Sequence, residues 1–178
     1  MVNLSLGPAI FAEAAFLGTD LAEGIEYAWS HGAVPVLASG NSDVAGLGVG
    51  SAEYGEMNAL VVGATGPDDE IAEYSSPTGN AKWALVAPGG GFDDQGIYST
   101  LWDGETPNKY GYLTGTSMAA PHVAGAVALM LSLGLTPKAA VEVILASADR
   151  NVDCSQSSDH CAGRLDVAKA VQMARQGR

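Results

Sequence analysis

The chain is predicted to fold as one α/β domain, with a mainly parallel sheet flanked by helices. Two observations lead there. Short runs such as AVPVLASG (33–40), ALVVGA (59–64) and WALVAP (83–88) are apolar on both faces, as strands of a parallel sheet covered on both sides must be. These runs alternate in part with helical stretches, the pattern of strands joined by crossovers. With 178 residues and 47% hydrophobic content, the chain is long enough to bury one real core.

The elements follow in order. Residues 2–6 read as a short strand. Thr19 or Asp20 is expected to cap the helical stretch LAEGIEYAWSH (21–31), which stops at Gly32. AVPVLASG is a buried strand bounded by glycine, and a glycine-rich loop over 42–55 leads to the strand ALVVGA. WALVAP, GIYST (96–100) and YGYLTG (110–115) are further strands. Two helices follow, one over about 117–133 and one opened by Thr136 as cap with Pro137 in its first turn. A last helix spans about 166–174. The chain shows no low-complexity run and no fixed-period repeat.

Charge narrows the partners. Twenty acidic residues against eight basic ones give a formal charge of −12, which opposes a sequence-independent grip on phosphate backbones or anionic lipid. Nucleic acid and membrane are therefore not expected partners. The longest apolar stretch, around Val123 to Leu131, is interrupted by Gly125 and falls short of the ~20 residues of a spanning helix. The opening MVNLSLG has no basic region ahead of an apolar one and is not a secretory signal.

The two cysteines, Cys154 and Cys161, lie seven apart in the polar stretch CSQSSDHC. That spacing fits a local disulfide or two thiols, and with His160 as the only neighbouring ligand it matches no usual zinc pattern. A disulfide would favour an oxidising, extracytoplasmic location.

Chemistry is concentrated in GTSMAAPHVAG (115–125). The helix after Ser117 is apolar all round, with Ala119, Ala120, Ala124, Gly125, Ala126 and Ala128 as small contacts, so it is expected to be buried with its N-terminus facing inward. Pro121 is cheapest in a first turn and places the helix start close to Ser117. There the hydroxyl sits among unpaired N–H groups at the positive end of the helix dipole, which suits either a cap or a group holding a developing anion. Asn41 ends the strand AVPVLASGN at the edge where parallel sheets place their sites. Its amide could join the Ser117 N–H as two donors aimed at one oxygen, or merely start a Gly-Asn-Ser turn.

In this order, VNLSLG (2–7), ASGN (38–41), ALVVGA, YSSPTGN (74–80), VAPGG (86–90) and GTSMAAPHVAG resemble the subtilisin-like serine proteases, or subtilases. The last motif is highly specific and the resemblance covers nearly the whole chain. It implies a subtilisin-like three-layer sandwich, a polypeptide substrate, Ser117 as nucleophile and Asn41 as oxyanion-hole side chain. It also implies that Ser5, Leu6 and Gly7, with Ala38, Ser39 and Gly40, flank the bound peptide and form the primary specificity pocket. The chemistry requires no cofactor. Subtilases often bind structural calcium, but Asp68, Asp69 and Glu70, or Asp93 and Asp94, offer too few oxygens for an assigned site and read as solvated surface.

The resemblance has a gap. Subtilases carry Asp-Thr-Gly or Asp-Ser-Gly and His-Gly-Thr segments ahead of the stretch matched here, and neither motif occurs in this chain. A serine hydroxyl needs a base, and none of the three histidines is convincing. At about 100° per residue His122 projects roughly 140° from Ser117 on the helix. His31 starts the strand whose far end bears Asn41, about 20 Å away, and His160 lies in the cysteine loop. The chain therefore reads as the C-terminal part of a subtilase catalytic domain, with the sheet incomplete at its N-terminal side and the missing N-terminal part as a partner. The piece alone is expected to be inactive. The alternative is a non-catalytic module, or pseudoprotease of the same fold, that binds extended peptides along the Ser5–Gly7 edge. GLGVGS (46–51) fails the dinucleotide spacing, and GTSMA lacks the second glycine of a hydrolase elbow.

Overall fold

The computed structural model describes residues 1–5, 18–41, 55–92, 95–155, 157 and 160–177, with the side chains of 18–21 left aside. Its frame is a parallel sheet of β1 (Val2–Leu4), β2 (Pro35–Ala38), β3 (Leu60–Thr65), β4 (Ala84–Pro88) and β7 (Cys161–Arg164), in that spatial order. A separate antiparallel pair is formed by β5 (Ile97–Thr100) and β6 (Tyr110–Leu113). Four helices are described: α1 (Gly18–Ser30), α2 (Thr116–Ser132), α3 (Pro137–Ser147) and α4 (Val167–Gln176).

Strands β2, β3 and β4 are buried almost throughout, because side chains on both faces are covered. Val36, Ala38, Leu60, Val62 and Leu85 pack with Ala120, Val123, Val127, Ile144 and Ala170 of α2, α3 and α4. The alternate residues Leu37, Val61 and Ala84 pack instead with Ile25 of α1. The period-two alternation of a strand thus feeds two cores and makes three layers, the subtilisin-like α/β arrangement.

Several sequence expectations change in detail. Helix α1 starts at Gly18, so Thr19 and Asp20 fall inside its first turn rather than at its cap. Helix α3 is capped as expected: the Thr136 hydroxyl accepts the Ala139 N–H, with Pro137 first in the helix. Asp166 caps α4 through the Lys169 N–H. Strand β7 was not anticipated, because CAGR has little strand propensity. It forms where backbone ladders decide, pairing with β4 across a register shift. Cys161, its first residue, is joined by a disulfide to Cys154.

Helix α2 departs most. Ala119, Ala120, Val123, Ala124, Ala126, Val127 and Met130 are buried, but Pro121, His122, Gly125, Ala128, Leu129 and Ser132 form an exposed stripe. The apolar composition on all sides is real. Burial on all sides is not present among the described residues.

Candidate active site

Three chain segments converge beyond the C-terminal ends of the strands. β1 and β2 run parallel, with Leu4 opposite Leu37, and deliver Ser5 and Asn41 to the same sheet edge. Helix α2 begins there. The turn before it is made by Gly115, whose φ of 151° favours glycine. A Cβ on Gly115 would also stand 3.1 Å from Asn41 Nδ2.

Gly115, not Ser117, is the N-cap, and no side chain caps the helix. Ser117 is the second helical residue and its hydroxyl points outward, donating weakly to the Ser5 carbonyl at 3.4 Å. The capping reading therefore fails on register. Pro121 sits in the second turn of α2, not the first. Lacking an N–H, it cannot donate to the carbonyl four residues back, which is that of Ser117. The Ser5 hydroxyl takes that place at 2.9 Å and itself accepts from Asn3 Nδ2 at 3.0 Å. The proline thus frees a helix carbonyl that ties Ser5, just after β1, to Ser117.

Thr116 was missed by sequence reasoning. It is fully buried, and both its N–H (2.8 Å) and its hydroxyl (2.9 Å) donate to Asn41 Oδ1. Its oxygen in turn accepts the Gly40 N–H at 3.2 Å. Because the Thr116 N–H can only donate, the facing atom of Asn41 must be its oxygen, and the amide orientation is fixed with Nδ2 left as donor. The available signal was a threonine directly ahead of Ser117 at a helix start.

The unpaired donors at the head of α2 can be counted. A helix begins with four N–H groups lacking intrahelical partners. That of the N-cap Gly115 goes to the Gly89 carbonyl, that of Thr116 to Asn41 and that of Met118 to the Gly115 carbonyl. The Ser117 N–H has no partner among the described residues. Among the described residues two donors, Ser117 N–H and Asn41 Nδ2, are thus without a partner at the sheet edge, where the helix dipole is positive.

Ser39 and Gly40 are held from behind. The Ser39 hydroxyl donates to Ser76 O at 2.7 Å, and Ser76 N–H donates to Gly40 O at 3.0 Å. Ala38 is buried in β2. Leu6 and Gly7 lie outside the described residues. Tyr74 also supports the site: its hydroxyl donates to Gly90 O at 2.7 Å, beside Gly89, whose carbonyl accepts the Gly115 N–H. Burial pushes the Tyr74 phenol up to about 12, partly opposed by a hydrogen bond with the Gly115 backbone.

On the other side of Ser117 lies a cleft of about 370 Å³ lined by α2, β5 and β6, including Tyr98, Leu113, Met118 and His122. His122 borders this cleft, but its Nδ1 is paired with Met118 O at 2.8 Å. His31 pairs through Nδ1 with Tyr27 O at 2.8 Å, and His160 lies exposed beside Cys161. Among the described residues the Ser117 hydroxyl bonds the Ser5 carbonyl and none of these three rings. Asp69 is ion-paired with Arg164, which also reaches Asp149 at 3.6 Å. That pairing leaves the 68–70 cluster a poor fit for calcium, and Asp93 and Asp94 lie outside the described residues. Among the described residues no three His, Cys, Asp or Glu side chains are grouped to hold a metal ion.

Thermitase of Thermoactinomyces vulgaris is 32% identical over 97% of this chain and 54% of its own length. The thermophilic serine proteinase of Bacillus sp. strain AK1 is 37% identical over 75% of the chain and 28% of its own length. The chain thus spans about half or less of these relatives. Among solved structures, a protease from Pseudoalteromonas arctica superposes with a TM-score of 0.68 at 29% identity, over 86% of this chain and 46% of that one. A lanthipeptide protease gives 0.74 at 21% identity, over 91% and 57%, a likeness of fold. The sequence model described as Subtilase family, Peptidase_S8, matches residues 1–164, most of the chain, and on that match the chain belongs to the subtilase family.

Proposed function

We propose that this chain is the C-terminal part of a serine endopeptidase catalytic domain, carrying the nucleophile Ser117 and the oxyanion-binding amide of Asn41. The observation that carries the reading is the pair of donors without a partner among the described residues, Ser117 N–H and Asn41 Nδ2, with the Asn41 oxygen tied to Thr116. The substrate is a polypeptide lying between the Ser5–Gly7 and Ala38–Gly40 segments.

Ser117 Oγ attacks the peptide carbonyl carbon, and the carbonyl electron pair moves onto oxygen. The two donors stabilise that oxyanion more than the neutral carbonyl, which makes their contribution catalytic rather than merely binding. The hydroxyl proton passes to a histidine, itself oriented by an aspartate, both supplied from outside these residues. Collapse expels the amine, which takes the proton back from that histidine, and water, deprotonated by the same histidine, then hydrolyses the acyl-enzyme and regenerates the Ser117 hydroxyl. The Ser117 hydroxyl donates to the Ser5 carbonyl and to no ring nitrogen among the described residues, which supports an external base.

An extracytoplasmic location is part of the proposal, supported by the Cys154–Cys161 disulfide. An "Extracellular protease" of Xanthomonas campestris is 36% identical, and a "Major intracellular serine protease" of Bacillus subtilis is 39% identical. No described helix is long and apolar enough to cross a membrane.

The test compares the 178-residue chain alone with the same chain supplied with a segment bearing the Asp and His motifs. Alone, turnover of a peptide substrate is expected to be negligible, with at most the ~10³ to 10⁴-fold over water that an oxyanion hole and binding leave. With the segment, turnover should appear and be abolished by Ser117→Ala. Triad-level turnover by the chain alone would refute the external base. Peptide binding without turnover in the supplemented chain would favour the non-catalytic module.

A further inference from the structure

The disulfide is remote from Ser117 along the sheet, yet the residue it encloses reaches toward the site. Ser157 lies between Cys154 and Cys161 and is only 4% exposed. Its Oγ accepts the Thr78 N–H at 3.1 Å and lies 3.2 Å from the Thr78 hydroxyl. Its carbonyl accepts the Gly79 N–H at 3.2 Å. Thr78 is fully buried. A serine and a threonine sealed together with their bonds made specify one arrangement, because any other leaves buried polar groups unpaired.

Thr78 is two residues from Ser76, and Pro77 between them has a fixed φ that removes slack. Ser76 holds the other end: its N–H binds Gly40 O and its carbonyl binds the Ser39 hydroxyl. Gly40 needs such a grip, since its φ of 112° belongs to a residue with wide backbone freedom. The next residue is Asn41, whose oxygen must meet Thr116.

We propose that Ser157 is a positioning residue for Asn41, acting through Thr78, Ser76 and Gly40, and that the Cys154–Cys161 disulfide is the clasp that keeps Ser157 in place. The state of the disulfide then sets how well the oxyanion donor is held. Reduction by a dithiol such as dithiothreitol opens the clasp. One reductant thiolate displaces a cysteine sulfur to give a mixed disulfide, and its second thiolate closes on the first. Two electrons pass to the protein as two cysteine thiols, and the reductant becomes a cyclic disulfide. The consequence for catalysis rests on the oxyanion role proposed for Asn41. The mechanical coupling does not.

Amide hydrogen exchange by NMR on the 178-residue chain separates the two. The comparison is between the oxidised chain, the chain reduced with dithiothreitol, Ser157→Ala and the volume-conserving Thr78→Val. In the last three forms, Ser76 and Thr116 amides are expected to exchange about fivefold or more faster, the size of coupling found between contacting residues. The Asn41 side-chain amide resonances should shift, and Val62 and Leu85 in the core should keep their rates. If Thr78 and Gly79 accelerate while Ser76, Thr116 and the Asn41 signals stay put, Ser157 only supports its own loop and the proposal is overturned. Equal acceleration at Val62 and Leu85 would also overturn it, since the effect would then be global. Because no step uses turnover, an inactive chain still reports on the coupling.

Discussion

Thr116 places both of its donors on a single atom, Oδ1 of Asn41, at 2.8 and 2.9 Å. The pairing orients a side chain three residues beyond the end of β2, and it does so from the residue directly before the proposed nucleophile. In the chain supplied with a base-bearing segment, Asn41→Ala should lower kcat by ~10² to 10³ with little change in KM. Thr116→Val keeps the N–H donor and loses the hydroxyl, so a smaller fall of about tenfold is expected, the worth of one buried hydrogen bond. Steady-state kinetics check both. A loss confined to KM would mean that Asn41 only positions substrate.

Pro121 gives a second test. Pro121→Ala restores the N–H that would bond the Ser117 carbonyl within the helix, at an exposed position. Relief of a helix-interior proline is worth up to ~3 kcal/mol, less about 1 kcal/mol for the displaced Ser5 bond. The variant should therefore unfold at higher denaturant concentration, with Ser5 released from the Ser117 carbonyl. An unchanged midpoint would show that the existing geometry already accommodates the proline.

The strands and the order of elements were legible because burial writes itself into composition: Val36, Leu60, Val62 and Leu85 could not sit elsewhere. The glycine-serine motif placed Ser117 at a helix start, and strand polarity placed Asn41 at the site edge. What could not be read depends on contacts between distant segments. The capping choice turned on a register difference of two residues, from Ser117 to Gly115. The use of Thr116 and Ser5 needed the strand ends and the helix head to be brought together first. The exposed stripe on α2 was hidden because alanine, glycine and leucine look the same in a sequence whether a neighbour covers them or not. Strand β7 was hidden because CAGR is paired by its ladder rather than by its side chains.

Tyr74 links stability to alkali. Its phenol is pushed from 10.0 to about 12 by burial, against the smaller effect of the Gly115 backbone. The folded value lies above the unfolded one, so the folded state holds the proton more tightly. Its contribution is whole below about pH 10 and is lost as pH rises through about 12. Denaturation midpoints measured from pH 9 to 12 should fall more steeply for the native chain than for Tyr74→Phe. Parallel curves would remove Tyr74 as the source.

Strand β1 and the outer face of α2 form one more connected question. β1 ends the described sheet, with Val2 38% exposed, and carries no strand on its outer side among the described residues. Its open N–H and C=O groups are a template for pairing. On α2 the stripe from Pro121 through Gly125 to Leu129 lies exposed, with Leu129 at 47%. Apolar surface of this kind marks a contact site when it is continuous. The matched stretches make up 54% and 28% of two of the relatives, and the proposed base comes from outside these residues. The 178-residue chain is therefore expected to self-associate, or to exchange rapidly over Val2–Leu4, and a separately made segment bearing the Asp and His motifs should suppress both. Light scattering at several concentrations reads association, and hydrogen exchange over Val2–Leu4 reads the edge. A strictly monomeric chain with strongly protected outward-facing amides there, unchanged by the added segment, would mean that the edge is covered from within, and the idea of a missing sheet partner would have to be given up.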